Sequence, residues 1–249
     1  EHVSGSEPAF ADLMNQYARE LGMGSTSYRN ATGLPDPEHY TTATDILKLA
    51  NAIIREFPDY YRWYSEKEFT WNGITQSNRN GLLWRDSTVD GMKTGFTDTA
   101  GYCLVSSALR DDMRLVAVVL GTDSPAARER ESQTLLNYGY RFYETKLLLP
   151  GGKALSEARV WKGETELVDV GVRRNVWVTV PRGTVGQLKP TYTLPARLMA
   201  PLDPATELGK VRVTLGDATI AETGLYPLKP VATGSLWQQG RDWVLLWFE

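Results

Sequence analysis

The 249 residues are 42% hydrophobic and 23% charged with a net charge of −3, the composition of a globular chain long enough for one large domain or two ordinary ones. There is no concentrated basic face for phosphate, so nucleic acid is excluded as a partner. A single cysteine, Cys103, excludes an internal disulfide, and with only two widely separated histidines, His2 and His39, neither a metal site nor a cofactor is expected.

The chain opens without a basic segment leading into an apolar core and contains no 18-residue apolar run, so neither a signal peptide nor a membrane-spanning helix is expected within it. The first residues, Glu1-His2-Val3-Ser4, read as mid-sequence, from a processed precursor or a fragment. Over 7–21, Phe10, Leu13, Met14, Tyr17, Ala18 and Leu21 recur at helical spacing, and Gly22 and Gly24 stop the helix. Ser4-Gly5-Ser6 ahead of it suits a helix start. Residues 25–40, dense in Gly, Pro, Asn and Asp, form a loop. A second helix is expected over 41–57, capped by Thr42 or Thr44 and closed by Pro58.

Alternation around 68–74 with Asn72-Gly73 predicts a hairpin. Residues 102–108 and 115–121 read as antiparallel strands joined at Arg110-Asp111-Asp112, with a helix over 126–143 after them. Cys103, inside the first of these strands, is expected to be a small core residue. Helices beside an antiparallel sheet make an α+β layer. Leu149-Pro150-Gly151-Gly152 marks a boundary, beyond which short strands at 158–161, 166–170, 176–180, 191–194, 210–215 and 218–222 predict a small all-β domain. After a linker at 227–234, Leu236, Trp237, Trp243, Val244, Trp247 and Phe248 share one side of a terminal helix. That side suits a lipid surface; the other reading is a helix docked on its own domain or another subunit.

The stretch Val89-Asp90-Gly91-Met92-Lys93-Thr94-Gly95-Phe96-Thr97-Asp98-Thr99-Ala100-Gly101-Tyr102-Cys103-Leu104 sets Lys-Thr-Gly just ahead of a strand. It resembles the corresponding stretch of the low-molecular-weight penicillin-binding proteins that are serine-type D-alanyl-D-alanine carboxypeptidases. The resemblance runs on through Lys67-Glu68-Phe69-Thr70-Trp71-Asn72, Asn78-Arg79-Asn80-Gly81-Leu82-Leu83-Trp84, residues 113–121 and residues 135–144. It implies a partial β-lactamase/transpeptidase-like α+β domain at 1–148, an all-β domain at 149–226, and a linker with an amphipathic membrane-surface helix at 227–249.

In that family a serine from Ser-x-x-Lys attacks the amide between two terminal D-alanines of the peptidoglycan stem peptide, and water resolves the acyl-enzyme; β-lactam antibiotics enter the same site. By the resemblance, Lys93 is the catalytic residue carried by this chain. Lys93, Thr94, Gly95, Thr97 and Arg128 bind substrate, Arg128 through the terminal carboxylate. Two departures stand out. Phe96 occupies a position that is often polar in relatives, and neither Ser-x-x-Lys nor Ser-x-Asn occurs in the 249 residues. The nucleophile is therefore expected on an absent N-terminal portion or a second chain, at the outer face of the bacterial inner membrane in the periplasm. The alternative is a catalytically inactive penicillin-binding-like protein that binds peptidoglycan or a partner. A β-lactamase or endopeptidase fits less well, since β-lactamases normally lack the β-domain and tail. A Ser-His-Asp triad built on His39 with Asp45 or Asp36 is disfavoured, because a lone loop histidine is most often a surface residue.

Overall fold

The computed structural model describes residues 1–247; Phe248, counted above on the apolar side of the tail, lies outside the described residues. The chain divides into two compact units, Glu1–Phe142 and Tyr143–Glu249.

In the first unit, α1 (Glu7–Glu20) starts at Ser6, whose side chain accepts the Ala9 N–H. Helix α2 (Ala43–Glu56) is capped by Thr42, which accepts the Asp45 N–H, and short α3 (Pro58–Tyr61) follows. Strands β1 (Glu68–Trp71) and β2 (Ile74–Ser77) form the expected hairpin, with Asn72 and Gly73 both at positive φ as a two-residue primed turn demands. After α4 (Leu82–Arg85) come β3 (Val89–Thr97), β4 (Gly101–Arg110) and β5 (Met113–Thr122), an antiparallel sheet in the order β3-β4-β5, and then α5 (Pro125–Phe142).

Period-two alternation gives this sheet two apolar faces. Leu104, Ala108 and Ala117 pack on one side with Leu136 of α5, while Met92, Val105 and Val116 meet Ala50, Ile53 and Ile54 of α2 on the other. Among the described residues, β5 pairs only with β4, so its outer edge is open.

In the second unit, β6 (Tyr143–Leu149) pairs with β9 (Val176–Pro181). A six-stranded sheet contains β7 (Ser156–Trp161), β8 (Leu167–Gly171), β10 (Lys189–Thr193), β11 (Leu198–Met199), β12 (Gly209–Leu215) and β13 (Ala218–Pro227), in the order β10-β12-β13-β8-β7-β11. Its core includes Val160, Val170, Val211, Val213 and Leu225, all almost fully buried.

Two sequence-based expectations are corrected here. The division falls at Phe142/Tyr143, ahead of the 148/149 boundary, because Tyr143 begins a strand whose partner lies in the second unit. Residues 227–234 are not a detached linker: Val231 is buried and bridges Leu202, and Thr233 bridges Gly163. The following helix, α6 (Leu236–Leu245), carries a capping box between Ser235 and Gln238. It is seated by its polar side, with buried Asp242 accepting the Lys162 N–H at 2.7 Å and Arg241 ion-paired to Glu166. Leu236, Trp237, Trp243 and Trp247 stay exposed.

Candidate active site

Strand β3 is anchored at its start and open at its end. Asn80, fully buried, donates its side-chain amide to the Gly91 carbonyl at 3.0 Å. Tyr61 donates its hydroxyl to Asp90, and Arg114 grips the same carboxylate with both terminal nitrogens at 2.8 and 2.7 Å. Burial pushes the Tyr61 phenol up from its ordinary value, and the hydrogen bond to Asp90 adds to that, so it stays a proton donor in this cluster. Gly91 is required where it stands, since a Cβ there would lie 2.6 Å from the Tyr61 hydroxyl oxygen.

Beyond Met92 the strand emerges into a cleft of about 1400 Å³. Lys93, Thr94, Gly95, Phe96 and Thr97 line it, and Tyr102, Cys103 and Arg128 join them from β4 and α5. Among the described residues the outer edge of β3 has no pairing strand, so its backbone groups are available to an extended ligand. The Lys93 ammonium is exposed and folds onto the Thr94 carbonyl. Thr97 is turned toward the strand end, its hydroxyl accepting the Ala100 N–H at 3.0 Å.

Arg128 is 5% exposed. Its Nη1 donates to the Gly95 carbonyl at 3.2 Å and its Nη2 to the Arg79 carbonyl at 3.3 Å, while Nε has no partner among the described residues. A buried guanidinium with donor capacity left over is chemically suited to an anion.

The structure thus brings all five sequence-predicted site residues to one cleft. Cys103 is corrected: it is half-buried and lines the cleft, because Leu104 takes the core-facing position beside it. Sequence reasoning missed the opposite wall, built from the 32–41 loop. That loop is fixed by Asn30, whose side-chain oxygen accepts the Gly33 and Leu34 N–H groups, and by the Ser27–Tyr40 bridge. The Gly, Pro, Asn and Asp of residues 25–40 signalled a loop but not its location. His39 accepts the Arg29 N–H, Asp36 accepts the Glu38 N–H, and Asp45 holds Ser25, Thr26 and Lys48, so the pairings a triad needs are not made.

Residues 1–124 match the family described as D-alanyl-D-alanine carboxypeptidase, and residues 143–233 match the one described as penicillin-binding protein 5, C-terminal domain. The crystal structure of penicillin binding protein 5 from Haemophilus influenzae is 41% identical, with a TM-score of 0.82 over 93% of this chain and 68% of that one. The chain belongs to the D-alanyl-D-alanine carboxypeptidase family. DacD from Francisella tularensis is 33% identical with a TM-score of 0.67, covering 94% of this chain and 70% of that structure. Among curated relatives, D-alanyl-D-alanine carboxypeptidase DacA of Escherichia coli (strain K12) is 40% identical over 250 residues, and this family member spans 62% of its length.

Proposed function

We propose that the cleft binds the carboxy-terminal D-alanyl-D-alanine of a peptidoglycan stem peptide and serves a serine carboxypeptidase reaction, with β-lactams as alternative ligands. The observation that carries this reading is the unpaired β3 edge bearing Lys93, Thr94 and Gly95 beside the buried Arg128 guanidinium. An extended peptide pairs with that edge, Thr94 offers its hydroxyl, Gly95 permits close approach, and Arg128 takes the terminal carboxylate. Lys93 adds positive charge next to the reacting amide.

The attacking hydroxyl comes from polypeptide outside these 249 residues, since no Ser-x-x-Lys occurs in them. That serine adds to the amide carbonyl, the C–N bond breaks, D-alanine leaves with the proton, and water hydrolyses the resulting ester. The open edge of β5 supports such a contribution, because it leaves the sheet able to accept another strand.

A fluorescent penicillin tests the reading. Protein expressed from the complete reading frame, with whatever precedes Glu1, is expected to be labelled covalently. Lys93→Ala should slow labelling by about a hundredfold, in line with loss of one preorganised electrostatic group. Labelling of the 249-residue chain by itself would overturn the placement of the nucleophile, and a full-length protein that never labels would favour an inactive binding protein.

The site sits on a periplasmic, membrane-peripheral protein in this reading. The support is the exposed row of Leu236, Trp237, Trp243 and Trp247 on α6, at 87%, 82%, 57% and 78% exposure, with the polar side of the helix occupied by its own domain. Deleting residues 235–249 should move the protein from the membrane to the soluble fraction; unchanged sedimentation with membranes would defeat the assignment.

A further inference from the structure

Arg128 is placed by two long hydrogen bonds, 3.2 Å to Gly95 and 3.3 Å to Arg79, both at or past the outer end of the usual range. Such bonds locate a guanidinium but leave its plane loosely set. The aromatic face the guanidinium meets among the described residues is the Tyr102 ring, whose centroid lies 5.6 Å from the guanidinium carbon, within cation–π range. Tyr102 in turn has a dedicated partner. Phe96 lies directly across the β3–β4 ladder from it, and the two rings stack with centroids 4.2 Å apart and planes 27° from parallel.

Phe96 is otherwise hard to account for. It is 52% exposed at the cleft, directly after the Lys-Thr-Gly triplet, where an aromatic side chain gains little from burial. We infer that Phe96 is a positioning residue: by stacking on Tyr102 it fixes the ring against which Arg128 is oriented, and so sharpens the preference of the cleft for a ligand with a free carboxylate. This rests on the carboxylate reading of Arg128 given above. Phe96 itself touches no reacting atom in this account.

The test compares two peptides ending in D-Ala-D-Ala, one a free acid and the other its carboxy-terminal amide, hydrolysed by protein from the complete reading frame. In Phe96→Ala the acid-over-amide ratio of kcat/KM is expected to fall about three- to tenfold, carried mainly by a higher KM for the acid. Phe96→Tyr, which keeps the ring, should retain the wild-type ratio. Arg128→Lys, which keeps the charge but loses the fork, sets the scale by collapsing the ratio further. The inference is overturned if Phe96→Ala leaves the ratio unchanged while Arg128→Lys collapses it, or if Phe96→Ala slows acid and amide equally. If Arg128→Lys also leaves the ratio untouched, the carboxylate reading itself fails and this inference falls with it.

Discussion

At Asp86 two opposing effects meet. Burial raises its carboxyl pKa, but hydrogen bonds from Thr88, Gln133 and Arg110 to the charged form outweigh burial and hold it down at about 2. An unfolded aspartate titrates near 3.9, so the folded value is depressed and the stabilisation it brings is complete above about pH 4. It is lost as pH falls through 2. Asp86→Asn should therefore melt below wild type at pH 6, with the gap between the two closing by about pH 2 in thermal melts; a pH-independent gap would refute this account. Residue identity marked Phe96 as a departure but not what it does. Its role depends on a partner across the ladder, and the spacing of Tyr102 six residues on becomes meaningful only once the turn between them is placed.

Among the elements, the β1–β2 hairpin was legible in advance because Asn-Gly demands a particular turn, and the turn sets the register Trp71↔Ile74. Gly73 sits at φ +73°, where a β-branched side chain is strained. Gly73→Val is expected to weaken the hairpin locally by about 1–2 kcal/mol. Amide hydrogen exchange over residues 68–77 should speed up while the sheet amides of β4 keep their protection; uniform loss of protection would mean the hairpin supports the whole unit. Strand β6 was not legible. Tyr143 follows α5 without a turn, and only the pairing of β6 with β9, which begins 27 residues after β6 ends, separates the strand from the helix. For α6, the sequence left surface anchoring and docking as alternatives, and the structure shows docking through the polar side with the apolar side left open. Burial raises the Asp242 pKa, yet the Lys162 N–H and Arg241 bring it below the ordinary carboxylate value, so the seat is an ionised one.

For the molecule as a whole, the open outer edge of β5 is a row of backbone groups ready to pair. Beside it, Leu120 is 41% exposed, and elsewhere in the first unit Trp63, Phe69 and Trp71 are at least 59% exposed. The 249-residue chain by itself is therefore expected to self-associate, seen in sedimentation velocity as a concentration-dependent shift to larger species. A monodisperse monomer that melts in one cooperative step at all concentrations would show that β5 needs no partner.

What the residue order determined alone was whatever is local: the starts of α1 and α2, the primed turn, the alternation of β4 and β5, and a Lys-Thr-Gly triplet ahead of a strand. Each depends on backbone preferences within a few residues, so a single sequence suffices. Tertiary structure decided what non-local pairing creates: the division at Phe142/Tyr143, the 32–41 loop as the second wall of the cleft, and the half-buried place of Cys103 at the cleft instead of in the core. It also decided the Phe96–Tyr102–Arg128 contact, which joins side chains from β3, β4 and α5. Contacts between residues far apart in sequence are set by how sheets and helices cover one another's apolar faces, and that covering exists only in the folded chain.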